Sequence, residues 1–125
     1  MPSNLSIKIL GDCDQGVIDQ FEFYSGETRT LKFQIYDEEN DQRYCVPTTA
    51  TKTVTLPSTQ AADITIINAN ITQDANDASI FSVSLTAIDT ANLMTGWCRF
   101  QFVTAGPTPI TRIAFKELVL KKLTT

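Results

Sequence analysis

At 125 residues, with 42% apolar and 19% charged side chains, the chain has the length for one core without metal or disulfide staples and the composition of a folded protein. A net charge of −4 and a pI near 4.6 argue against general nucleic-acid binding and against adhesion to anionic lipid, both of which need a basic footprint. Histidine is absent, which excludes a Ser-His-Asp triad, a Cys-His dyad and zinc sites built on imidazole.

From the N-terminus, Met1-Pro2-Ser3-Asn4 has no basic or apolar leader character, and no apolar run approaches the length of about 18 residues that a span needs. Neither a secretory signal nor a membrane span is expected. Leu5, Ile7 and Ile9 alternate with Ser6 and Lys8 as a first short strand, closed by Gly11-Asp12. Residues 17–24 carry Val17, Ile18, Phe21 and Phe23 and read as a less regular strand. Ser25-Gly26-Glu27 is turn chemistry, since glycine reaches positive φ without steric cost. The clearest strand follows over 28–36, where Leu31, Phe33 and Ile35 alternate with Lys32, Gln34 and Tyr36. The acidic run 37–41 then ends it.

Residues 43–46 form a short strand at most, because Pro47 cannot donate to a ladder. The threonine-rich stretch 48–56 is a strand ended by Pro57, and 63–71 is another with a turn or bulge near Asn68-Ala69-Asn70. After a polar turn at 73–77, residues 78–85 alternate through Phe81, Val83 and Leu85. Thr86 and Asp89 have the spacing of a helix N-cap and its reciprocal acid, which predicts a helix of one or two turns ended by Gly96. In 97–103 Cys98, Phe100 and Phe102 point inward. Trp97 is expected to pack on the short helix, with an interface anchor as the other reading. A loop at 105–109 leads to a long last strand, 110–123. Its apolar residues fall on both faces, Ile113 and Phe115 on one and Leu118 and Leu120 on the other. Either a bulge near Glu117 swaps the faces, or a partner covers both.

These segments predict an all-β antiparallel sandwich of about seven to nine strands with one short helix, as a single domain over residues 1–125. Cys13, Cys45 and Cys98 are odd in number and have no CxxC spacing, so they are expected as free thiols.

Candidate chemistry is sparse. Asp37, Glu39 and Asp41 have the opening spacing of a calcium loop, but Gln42 and Thr48 stand where glycine and glutamate would be needed. Asp12 with Asp14, and Asp74 with Asn76 and Asp77, read as turn-formers. Asp19, Glu22 and Glu27 are the candidates for a hydrolytic carboxylate pair, and nothing in their spacing fixes a separation. Five glycines in separate turns make no phosphate cradle. The expectation is therefore no enzyme, no cofactor and no metal.

The turn Ser25 to Leu31, the strand Phe33 to Asp37, the strand Phe81 to Leu85 with Thr86, the helix near Asp89 to Leu93, and Gly96-Trp97-Cys98-Arg99-Phe100-Gln101-Phe102 resemble, in this order, the N-terminal domain of phage baseplate upper proteins. That family has a G-D-T turn before its strand where this chain has Gly26-Glu27-Thr28. The likeness runs from about Phe21 to Leu120. It implies a small Ig-like sandwich and a phage virion structural protein, an attachment or decoration module of tail, baseplate, neck or capsid. Such a protein assembles in the host cytoplasm and acts through other virion proteins and a homo-oligomer within a symmetric assembly. Nucleic acid and membrane are not expected as partners. The last strand is the first choice for a pairing edge, with Ile110, Arg112, Lys116, Leu118 and Leu120 as contact residues and Tyr36 and Tyr44 beside them. The tips at 37–41 and 106–109 are the second choice. The alternative is a carbohydrate- or calcium-dependent module for a host surface, using Tyr36, Tyr44 and Trp97.

Overall fold

The computed structural model describes residues 5–11, 16–60 and 62–123. Its centre is β3 (Arg29–Asp37), which buries Leu31, Phe33 and Ile35 and turns Lys32 to solvent. β1 (Leu5–Leu10) pairs with it antiparallel on one side, with Ile7 opposite Ile35 and Ile9 opposite Phe33. β8 (Ile80–Leu85) pairs on the other side, with Phe81 opposite Phe33. The two-residue β4 (Gln42–Arg43) folds back onto Tyr36 and Asp37. β7 (Ile71–Gln73) continues the sheet beyond β8.

A second group forms around β9 (Gly96–Val103), which lies between β5 (Thr51–Leu56) and β10 (Thr111–Leu118). β6 (Ile64–Ile67) pairs beyond β5. β1 joins the groups, antiparallel to β3 and parallel to β10. The resulting order β6-β5-β9-β10-β1-β3-β8-β7 is a sheet nearly closed into a barrel. The protein is all-β with one short helix, as its alternation predicts. It is not purely antiparallel, and the eleven strands among the described residues exceed the expected number because several are very short.

Closing the sheet brings the inward side chains of both groups together. The rings of Phe33, Phe81 and Phe100 meet with centroids 4.8 to 5.8 Å apart, at most 2% exposed. Each such ring contributes ~1.5–3 kcal/mol by leaving water. Cys98 lies in the same core, and burial pushes its thiol up to about 11.

The expected single last strand is instead two. β10 ends at Leu118, and β11 (Leu120–Leu123) leaves the main sheet to pair in parallel with β2 (Phe21–Tyr24). β10 is itself apolar on both faces, with Phe115 outward and Leu118 inward, and the break places Leu120 on a different sheet. Leu118 enters the core from β10, whereas Leu120 packs against its rim from the second sheet. The irregular stretch 17–24 has strand geometry only from Phe21, with Val17 making a lone bridge to Leu10. Residues 47–50 are a turn, closed by the Ala50 N–H on the Pro47 carbonyl at 3.1 Å, so β5 begins later than its threonines suggest.

The helix α1 (Ala87–Asn92) is fixed at both ends. Thr86 Oγ1 accepts from the Asp89 N–H at 3.1 Å, and Asp89 accepts from the Thr86 N–H at 3.0 Å. Lys122 donates to the Ala91 and Leu93 carbonyls, each at 3.0 Å, placing a cation at the negative end of the helix. The helix stops at Asn92. Gly96 does not end it but opens β9, where a Cβ would stand 3.0 Å from the Pro57 side chain. Buried Thr90 ties α1 to the turn before β3. Its hydroxyl donates to the Glu27 carbonyl at 2.6 Å and accepts from the Gly26 N–H at 3.1 Å. Gly26 has φ +86°, and Glu27 Oε1 accepts from the Tyr24 N–H at 2.8 Å.

Candidate interaction surface

Four of the carboxylates singled out in the sequence, Asp37, Asp41, Asp74 and Asp77, bond groups of their own loops or of a neighbouring side chain. Asp37 accepts from the Asn40 side chain at 2.8 Å and from the Glu39 and Asn40 N–H groups. The Asn40 side chain leads in holding its carboxyl below the ordinary value. Asp41, at φ 51°, accepts from the Tyr36 hydroxyl at 2.7 Å, and that bond raises the phenol. Asp74 caps the Asn76 N–H. Asp77 accepts from the Ser79 N–H and hydroxyl and from Arg43. Burial pushes Asp77 up, and these partners outweigh it to leave the acid lowered. Among the described residues no group of three or more Cys, Asp or Glu side chains is placed to hold a metal. Asp12, Cys13 and Asp14 lie outside the described residues.

The three candidate hydrolytic carboxylates are divided between two clefts. Glu22 and Glu27 border an open cleft of about 560 Å³ beside Arg29 and Leu123, and Asp19 borders a different one with Lys8 and Lys116. Glu27 is bonded to Tyr24, and Glu22 lies 3.9 Å from Lys121 at the surface. No described helix is long and apolar enough to cross a membrane. Buried Lys52 points its amine at the carbonyls of Thr48 and Ala50, 3.3 and 3.0 Å away, and burial lowers its pKa.

The residues chosen for contact are mostly occupied. Leu118 is buried and Leu120 is half-buried. Arg112 donates to the Tyr44 hydroxyl at 2.9 Å and stacks 4.8 Å above its ring, which rests on Phe102. Lys8 stands 3.9 Å over the Tyr36 ring. Lys116 is half-buried, and only Ile110 is well exposed. Within the expected edge 110–123, β10 is flanked by β9 on one side and β1 on the other, whereas β11 pairs with β2 alone.

What stands open is the outer face of β6, β5, β9 and β10. Trp97 does not pack on α1: it is 66% exposed, with Phe115 at 50% and Ile67 at 60%. Trp97 lies opposite Glu117, and Arg99 opposite Phe115. Ile113 joins them one step along β10 and Thr53 and Thr55 extend the face across β5. The outer face of β3 and β8, by contrast, presents Lys32, Ser82 and Ser84. Reading the sequence missed Phe115 and Ile67 as surface residues. The signal was there in Ile113-Ala114-Phe115, where the small residue sends its side chain inward and the large ones send theirs out. Neither a scan against protein-family models nor a search of curated proteins finds a match to this chain.

Proposed function

We propose that the chain is a non-enzymatic phage virion structural protein, an attachment or decoration module of tail, baseplate, neck or capsid. It works through contacts with other virion proteins and with copies of itself in a symmetric assembly. The observation that carries this reading is the open aromatic face around Trp97 and Phe115, on a protein in which Asp37, Asp41, Asp77 and Glu22 are engaged in turns and surface pairs. Large apolar side chains left exposed together on one sheet face point to a contact site.

The resemblance to baseplate upper proteins supplies the setting. Its matching segments fall on the turn into β3, on β8, on α1 and on β9. Strand order supports the finer fold as well. β1-β3-β8-β7 follows the A-B-E-D order and β10-β9-β5-β6 the G-F-C-C′ order of an Ig-like sandwich of variable type, with β1 shared between the two sheets.

The test is composition. Particles purified from the strain that carries the gene, then washed in high salt, should retain the chain in fixed proportion to a major structural protein. Its presence in the lysate but not in washed particles would refute the reading. A melting temperature that climbs with calcium would favour the host-surface alternative, since a ligand of the native state stabilises by mass action.

A further inference from the structure

We infer that the open face of β9 and β10 is a symmetric interface for a second copy of this chain. Four exposed side chains form its centre. Trp97 and Phe115 occupy one diagonal of a cross-strand quartet, and Arg99 and Glu117 the other. Diagonal neighbours lie about 7–8 Å apart at their Cα atoms, so the two aromatic side chains stand side by side on the face.

The charges select both the occupant and its orientation. A two-fold axis in the plane of the face, along the Trp97–Phe115 diagonal, lays each aromatic on its own copy. The same operation sets Arg99 over the partner's Glu117, and Glu117 over the partner's Arg99. An axis along the other diagonal would oppose like charges, which is costly in a desolvated contact. The favoured arrangement is isologous, with each contact made twice. From strand spacings of about 4.8 Å and rises of about 3.3 Å per residue, the strands of the two copies cross at roughly 70°, close to the orthogonal class of sheet packing.

Charge balance and size agree with this occupant. The chain as a whole carries −4 and would repel its copies, whereas this quartet is neutral. Four strands by up to eight residues span roughly 19 by 26 Å, about 500 Å² in projection. Side-chain relief takes the accessible area toward the ~800 Å² per partner of a standard interface. Aromatic and arginine enrichment is also what interface centres show.

This inference goes beyond the virion reading, and the two fail separately: a chain absent from particles can still pair, and a particle component can still be monomeric in solution. The experiment uses the single tryptophan, which lies in the quartet. Mass by light scattering and emission of Trp97 are followed together from micromolar to millimolar concentration. Mass should double, and emission should move to shorter wavelength over the same range. Arg99→Glu and Glu117→Arg should each raise the dimer dissociation constant at least ~10-fold, and the double reversal should restore it to within about threefold. A monomer at every concentration overturns the inference, as does a dimer with unchanged tryptophan emission. Failure of the double reversal to restore pairing also overturns it.

Discussion

Thr90 offers a test of how the helix holds the turn from which β3 starts. Replacing it with valine keeps the shape and removes the hydroxyl. The Glu27 carbonyl then loses a donor at 2.6 Å and the Gly26 N–H loses an acceptor at 3.1 Å. Each hydrogen bond contributes ~1 kcal/mol net, so Thr90→Val should cost ~2 kcal/mol. Helix propensity adds little, since valine and threonine rank together. Thr90→Ser keeps both bonds and deletes one methyl from a fully buried site, a loss of ~1 kcal/mol. In urea, with a slope of ~2 kcal/mol/M, the valine variant should unfold ~1 M earlier than the wild type. Amide exchange at Gly26 should quicken in the valine variant and stay slow in the serine one. A valine variant within ~0.5 kcal/mol of wild type, or a serine variant less stable than the valine one, would refute the assignment.

Two further outcomes follow from the polar groups. Asp77→Asn should cost ~1–2 kcal/mol at neutral pH, because it weakens the bonds to Ser79 and Arg43. The folded protein holds this acid below its ordinary value of 3.8, so the stability it contributes is present above that value and is lost as pH falls through the lowered folded one. Urea melts of both proteins should therefore converge in acid, and a constant gap down to the lowest pH would refute the account. Thiol alkylation of the native protein at pH 8, mapped by peptide mass, should label exposed Cys45 and spare Cys98. With a pKa near 11, Cys98 has a thiolate fraction of only ~0.1% at that pH. Equal labelling of the two before unfolding would contradict the burial.

Most of the fold was legible because period-two alternation is a direct record of a half-buried sheet. β3, β8 and β9 were readable for that reason, and Thr86 with Asp89 announced α1 through hydrogen bonds that need only local spacing. The parallel pairs were not legible. Nothing in residues 5–10 or 120–123 states that β1 meets β10, or that β11 meets β2, because such pairings join distant segments. The break at Val119 was visible only as an ambiguity of faces. Which side chains stand open was hard to read for a related reason. Tyr44 looks free in sequence but lies under Arg112, 68 residues away, whereas Trp97 looks like core and stands in solvent.

The claim that joins structure to function is that the Trp97–Phe115 face holds the chain in its assembly. Phe115→Lys leaves the core untouched, since the side chain is half exposed and points outward. Wild-type and variant chains, shown equally folded by circular dichroism, should be expressed in turn from the gene's own locus and counted in washed particles. The account predicts that the wild type is retained and the variant is lost. Equal retention of the two would contradict it.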